Sequence, residues 1–118
     1  VSQIADPDAA AVSTGNLRSL AKSDGWSSLG EILGRADRTR GYGDFYHYHL
    51  LAAGKIEAVI ESDVNILDIA ALAVIVTEAG GRFTDLNGAP PGLATRSVLA
   101  ANPALHAIYL DRLDGLVT

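Results

Sequence analysis

The chain has 118 residues, of which 48% are apolar and 19% are charged, and it carries a formal net charge of −5. That composition is typical of one folded globular domain and not of a disordered protein. The negative charge and the scattered positions of the nine Lys and Arg residues argue against nucleic-acid binding.

Two absences narrow the class further. The chain contains no cysteine, which excludes disulfide bonds, thiolate nucleophiles and sulfur-ligated zinc, and which fits a cytoplasmic location. The longest apolar run, residues 69–76, is far shorter than the ~20 residues that a membrane-spanning helix needs. We therefore expect a cytoplasmic protein that binds neither nucleic acid nor a membrane.

The first half of the chain predicts one short strand followed by three helical segments. In chain order these are a strand at 9–13, a helical turn at 17–20, a helix at 25–36 with Ser23 or Asp24 as its N-cap, and a helix at 45–53. Residues 35–43 are predicted to be a polar connection. Asp44 is predicted to cap the helix that follows it, and Gly54 to end that helix in the C′ position.

The second half predicts strands and helices with clearer boundaries. They are a strand at 55–61, a helix from Asn65 to Gly80-Gly81, strands at 82–85 and 97–101, and a helix from Pro103 to about 113 capped by Asn102. Near-continuous apolar strands that alternate with helices are typical of an α/β domain whose sheet is covered by helices.

Three acids are candidates for chemistry, and each has a plainer interpretation. Asp68 lies in the first turn of a predicted helix, where it either only caps the helix or serves as a Mg²⁺ ligand. Glu61 ends a strand seven residues earlier, either as a solvated strand end or at the edge where α/β sheets bind ligands. Asp44 either caps its helix or, beside Gly43, offers a carboxylate to a hydroxyl or ammonium group.

The remaining polar residues give weaker signals. Asp6 and Asp8 in "ADPDAA" are interpreted as turn residues. His47 and His49 are two positions apart on one helix and face different directions, so we expect surface or packing roles and no shared metal. His106 has no visible partner. The sequence has no P-loop, no GxSxG and no GxGxxG motif.

The stretch "NILDIAALAVIVTEAGGRFTDLNG" strongly resembles the C-terminal signature of the inositol monophosphatase family, a Trp-Asp-x-Ala-Ala segment that leads into Ile-Val-x-Glu-Ala-Gly-Gly. Here the two parts are residues 67–71 and 75–81. The flanking stretches "RTRGYGDFYHYHLLAAGKIEAVIE" and "RSVLAANPALHAIYLDRL" extend the resemblance over residues 38–113. The resemblance implies a layered α-β-α-β-α fold, whose C-terminal half is a largely parallel sheet between helices.

The resemblance also implies an activity, the Mg²⁺-dependent hydrolysis of a phosphate monoester. In such chemistry the metal binds the phosphate, lowers the pKa of a water and stabilises the leaving alkoxide. Asp68 matches the metal-binding Asp of the signature, and Glu61 matches an acid that contacts the substrate. Gly43 and Asp44 match the loop that lines the substrate pocket. From its charge and location, we infer that Arg40 contacts the phosphate or a nearby acid.

Within the family, "GYGDF" at 41–45 is most similar to the histidinol-phosphatase branch. A carboxylate at Asp44 suits a substrate that bears an amine, because it pairs with an ammonium group. The alternatives are inositol phosphate, fructose bisphosphate or a phosphoadenosine nucleotide. From another class, a non-catalytic α/β binding or oligomerisation module stays open. Family members are commonly dimers, which makes a homodimer a possible assembly.

Two departures from the family pattern matter. Leu67 stands where the signature has Trp, and the upstream Glu-Glu pair and Asp-Pro-x-Asp-Gly-Ser/Thr loop are absent, since "ADPDAA" has neither the spacing nor the Gly-Ser/Thr. The chain also begins at Val1 and contains no Met. We therefore expect residues 1–118 to be the C-terminal domain of a longer phosphatase, without its N-terminal metal-binding domain and inactive alone.

Overall fold

A five-stranded sheet with helices on both faces makes up the computed structural model, which describes residues 1–113. The strands are β1 Ala11–Gly15, β2 Arg38–Arg40, β3 Ala58–Ser62, β4 Arg82–Thr84 and β5 Ser97–Ala101. The helices are α1 Leu17–Ala21, α2 Trp26–Arg35, α3 Tyr46–Ala52, α4 Ile66–Glu78 and α5 Pro103–Leu113. In the described part of the chain, no helix combines the length and apolar character that crossing a bilayer requires.

The strand order is β2-β1-β3-β5-β4, and the sheet is mixed. β1 is parallel to β2 and β3, whereas β5 is antiparallel to both β3 and β4. Four strands therefore share one direction and β5 alone is reversed. α4 connects β3 to β4, so these two strands run in the same direction. The segment 85–96, which connects β4 to β5, contains no crossover helix, and β5 therefore lies antiparallel between β3 and β4. The predicted α/β class is confirmed, with a mixed sheet in place of a largely parallel one.

Several predicted boundaries in the first half were wrong. β2 lies inside the predicted polar connection; it is an edge strand with all three residues exposed, so it has no apolar alternation to reveal it. β1 begins two positions later than predicted because Pro7–Ala9 forms a 3₁₀ turn, which confirms the turn interpretation of "ADPDAA".

The start of α2 was also predicted incorrectly. Gly25 is its N-cap, without a capping side chain, and the Ser23 hydroxyl instead donates to the Leu20 carbonyl at 2.7 Å. Trp26 is 40% exposed, so the buried stripe of α2 is formed by Leu29 and Ile32.

The core has two parts, one on each face of the sheet. On one face α2 and α5 bury Leu29, Ile32, Leu105, Tyr109 and Leu113. On the other face α3 and α4 bury Tyr48, Leu51, Ile69, Leu72, Ala73 and Val76. Successive residues of β3 serve the two parts in turn, since Ile60 belongs to the first and Val59 to the second. A strand buried on both faces is apolar at nearly every position, which explains the unbroken apolar character of the sequence there.

Candidate functional site

The candidate site is a cleft beside the edge of the sheet where β1, β2 and β3 all end. Because these strands are parallel, their carboxyl ends lie together, and α4 begins at the same edge. The cleft has a volume of about 360 Å³. Its lining residues are Asp44, Phe45, Tyr48, Glu61, Asp63, Val64, Asp68, Ile69 and Leu72. The fold thus brings together three residues that the sequence singled out: Asp44, Glu61 and Asp68.

Asp68 is held at the N-terminus of α4 by a capping box. The Asn65 side chain accepts the backbone N–H groups of Leu67 at 2.9 Å and Asp68 at 3.3 Å, and Asp68 Oδ2 accepts the Asn65 N–H at 3.2 Å. The cap engages Oδ2 and makes no use of Oδ1. Capping and metal binding are therefore compatible roles for this carboxylate. Leu67, at the Trp position of the signature, is 91% exposed and contributes nothing to the described core.

Glu61 is oriented by three neighbours. The Tyr48 hydroxyl donates to its Oε1, and His47 Nε2 lies 3.4 Å from the same oxygen. Gly15 on β1 makes room for the side chain, since a Cβ there would lie 2.4 Å from Oε2. Burial, and secondarily the negative charge of Glu61, raises the pKa of Tyr48 far above its usual range. Tyr48 is therefore protonated at every physiological pH and serves as a permanent donor.

His47 is completely buried beneath the cleft, where its Nδ1 lies 2.9 Å from Ser13 Oγ on β1. Of the two predicted roles, surface or packing, His47 has the buried one, and its contacts with Ser13 and Glu61 could not be read from the sequence. The available signal was the spacing of His47 and Leu51, which places both on the buried face of α3. His49 is exposed and packs against the Phe45 ring, so the two histidines do face different directions.

Asp44 and Asp63 complete the acidic lining. Asp44 was predicted to cap α3, and that prediction is wrong because Phe45 holds the cap position. Asp44 has a left-handed φ of 47° and an exposed side chain. Asp63 was missed, although its place just beyond the end of β3 was a usable signal. It too is left-handed, with φ of 58°, and its Oδ2 accepts a hydrogen bond from Asn16 Nδ2 at 2.9 Å.

Arg40 and Gly43 lie outside the lining of the cleft. Arg40 is exposed on the edge strand β2, and its Nη1 donates to the Thr39 carbonyl at 2.8 Å. Gly43 precedes Asp44 with a left-handed φ of 69°. Their substrate contacts stay predictions. His106, which had no visible partner in sequence, lies 2.8 Å from Thr84 Oγ1 on β4.

The lining of the cleft is strongly acidic. It contains the four carboxylates Asp44, Glu61, Asp63 and Asp68 and no Lys or Arg. Such a cleft attracts cations and repels an anion unless a cation lies between them. Carboxylate oxygens are also the ligands that Mg²⁺ prefers, so the donor chemistry fits that ion. Within residues 1–113, however, no group of three metal-ligating side chains is close enough to hold an ion. The described residues supply individual ligands and not a closed metal site.

Comparison with solved structures identifies the class of protein to which this fold and cleft belong. The chain superposes with a TM-score of 0.83 on an inositol monophosphatase from Zymomonas mobilis, at 28% identity over 96% of this chain and 46% of the other. The sequence model of the inositol monophosphatase family matches residues 13–117, and the chain belongs to that family.

Two curated relatives are histidinol-phosphatases. The relative from Mycobacterium tuberculosis is 38% identical over 98% of this chain and 44% of its own length. The relative from Streptomyces coelicolor is 42% identical over 76% of this chain and 36% of its own length. The chain thus spans less than half the length of the curated relatives that it matches.

Proposed function

We propose that this chain forms one side of a phosphomonoesterase active site that works with Mg²⁺ and acts on a phosphorylated amine of the histidinol phosphate type. The observation that carries the proposal is the cleft in which Asp44, Glu61 and Asp68 meet without a single Lys or Arg. A phosphate monoester is repelled by such a lining, so its binding there requires bound cations. A metal ion and a substrate ammonium group are cations of the right kind.

Each acid has a distinct task in this proposal. Asp68 would hold the metal through Oδ1 while its other oxygen caps α4. When bound, Mg²⁺ neutralises phosphate charge and lowers the pKa of an attacking water. Glu61, fixed by Tyr48, accepts a hydrogen bond from the alcohol side of the substrate. Asp44, exposed at the mouth of the cleft, pairs with the ammonium group.

The nature of the substrate is supported by Asp44 and by the similarity to histidinol-phosphatases. Inositol phosphate is the second candidate, favoured by the likeness to the Zymomonas mobilis structure. The two differ in charge, because inositol has hydroxyl groups where histidinol has an amine. The Asp44 carboxylate is needed only for the amine, so it distinguishes them.

We propose further that the remaining metal ligands come from polypeptide beyond this chain. Mg²⁺ takes about six oxygen ligands, and the described residues bring no three ligating side chains together. The curated relatives, of which the chain covers 36% and 44%, are long enough to supply the rest. The 118-residue chain alone is therefore expected to show no turnover.

The test measures Mg²⁺-dependent phosphate release from histidinol phosphate and inositol phosphate by the longer protein that contains this chain. Asp68→Asn should lower kcat/KM by about 100-fold or more, because the metal ion at the reacting phosphate would lose a negatively charged ligand. Asp44→Asn should raise KM for histidinol phosphate by about 10-fold or more and leave KM for inositol phosphate unchanged. Asp111→Asn, an exposed acid away from the cleft, is the matched control.

Four results would contradict the proposal. An inactive longer protein would overturn the phosphatase assignment as a whole. Wild-type activity in Asp68→Asn would reduce Asp68 to a helix cap. Equal effects of Asp44→Asn on both substrates would remove the argument for an amine, and comparable turnover by the 118-residue chain would show that no further ligands are needed.

A further inference from the structure

We propose that His47, anchored by Ser13, is a positioning residue that together with Tyr48 fixes the Glu61 carboxylate in its substrate-binding orientation. The role of Glu61 in substrate binding rests on the function proposed above. The arrangement of these four side chains rests on the structure alone. None of the three supporting side chains was assigned a function from the sequence.

The direction of the hydrogen bonds determines where the His47 ring carries its proton. The Tyr42 backbone N–H donates to Ser13 Oγ at 3.2 Å. Among the described residues Ser13 Oγ bonds only to this N–H, which cannot accept, and to His47 Nδ1 at 2.9 Å, so the hydroxyl proton is directed to Nδ1. A ring nitrogen that accepts a hydrogen bond is unprotonated, so in the neutral ring the proton is on Nε2. That nitrogen faces Glu61 Oε1 at 3.4 Å.

The environment makes this contact specific. His47 is 0% exposed, and its Nε2 makes no hydrogen bond to any described residue; Glu61 Oε1, 3.4 Å away, is near it but outside hydrogen-bond geometry. A buried N–H group without a partner is costly, which favours holding the carboxylate near it. Since Tyr48 donates to the same oxygen, Oε1 is committed to the protein. Oε2, which lies over Gly15, is the oxygen left for a ligand in the cleft.

This arrangement separates the task of His47 from catalysis. His47 is not itself part of the cleft lining, so its effect on a substrate passes through Glu61, which is. Loss of the Nε2 donor should loosen the carboxylate and weaken substrate binding, while the metal-side chemistry is retained. A change in KM with little change in kcat is the expected signature.

The first experiment compares two replacements of His47 in the longer protein. His47→Gln places an N–H donor near the position of Nε2, whereas His47→Met has a similar length and no donor. His47→Met should raise KM by about 5- to 10-fold with kcat changed less than about 2-fold, and His47→Gln should restore most of the loss. Equal KM values for wild type, His47→Met and His47→Gln would overturn the proposal, as would an equal loss in both variants.

The second experiment needs no enzymatic activity and uses the 118-residue chain. Long-range ¹H–¹⁵N correlation spectra report which imidazole nitrogen carries the proton. We expect His47 to show protonated Nε2 and unprotonated Nδ1, and Ser13→Ala to lose that preference. A His47 ring protonated only at Nδ1 would overturn the proposal even if the enzyme is active. An inactive wild-type enzyme with the expected spectrum would instead refute the proposed function and leave the geometry of Glu61 intact.

Discussion

Replacing Gly15 by Ala tests whether the Glu61 carboxylate depends on the space beside β1. The added Cβ would lie 2.4 Å from Glu61 Oε2 and 2.7 Å from both Cδ and Cγ, where ordinary contacts begin at 3.4 Å. The Glu61 side chain would have to move by about 1 Å to remove the overlap. The φ of Gly15 is outside the left-handed region, so the backbone itself accepts Ala. The effect therefore isolates the displacement of Glu61.

The size of the effect follows from what Glu61 releases. Moving its carboxylate breaks the hydrogen bond from Tyr48, whose side chain is 1% exposed, and leaves a buried hydroxyl unpaired. An unpaired buried donor costs about 1–3 kcal/mol. The free energy of unfolding should fall by about that amount, which corresponds to a decrease in Tm of about 4 °C or more.

The assay is urea and thermal unfolding of the 118-residue chain, followed by far-UV circular dichroism. Gly30→Ala is the matched control, because a Cβ at Gly30 in α2 meets no atom within 4 Å. That control should be stabilising by up to about 1 kcal/mol, since Ala favours helix over Gly. In a Glu61→Ala background, Gly15→Ala should lose most of its cost. Equal behaviour of the two glycine variants, or an undiminished cost in that background, would refute the reasoning.

Three further outcomes are expected from the same unfolding assay. Tyr109→Phe should leave stability unchanged or raise it by up to about 1 kcal/mol, because the buried Tyr109 hydroxyl has no hydrogen-bond partner among the described residues; a loss above that size would reveal a missed partner. Asn65→Ala should cost about 1 kcal/mol by removing the cap of α4, and no change would contradict the capping box. Burial, with a smaller contribution from Arg82, lowers the pKa of His106 in the folded chain. As pH falls, His106 is therefore protonated at a higher pH in the unfolded chain than in the folded one. The contribution of His106 to the free energy of unfolding is fully present above about pH 6.5 and declines below it by at most about 1.4 kcal/mol per pH unit. His106→Gln should flatten this slope, and an unchanged slope would assign it to other groups.

The parts of the fold that were predicted correctly have strong local signals. α4 begins at Ile66, directly after its cap Asn65, and α5 begins at Pro103, as their capping residues indicated. β5 has its predicted bounds, since all five of its residues are buried and apolar or small. β2 was missed because its residues face solvent and carry no period of two. The reversal of β5 is set by strand pairing over a long distance in sequence. No local pattern encodes it.

The candidate site divides in the same way. The places of Glu61 and Asp68 were predicted because strand ends and helix starts have local sequence signals. The contact of Ser13 with His47 was not predicted, because 34 positions separate the two side chains and only the fold brings them together. Asp44 was placed at a helix cap by its position before an apolar segment. Its left-handed backbone turns the carboxylate to the cleft, and a non-glycine residue gives no local warning of that conformation.

The position of β1 in the sheet has a consequence for the order in which the chain folds. β1 is the first of these five strands to be synthesised, yet Ala11 pairs with Arg38 and Val12 with Ala58, on strands made later. Its edge partner β2 follows only after α1 and α2, and its central partner β3 is made later still. Pairing between such distant segments slows folding, since loops must close before contacts repay the lost chain entropy. Ser13 and Gly15 lie on this strand, so the support of Glu61 is assembled only when the centre of the sheet closes. A ribosome-bound chain that ends before β3 would hold α1 and α2 with only the β1–β2 pair to pack on.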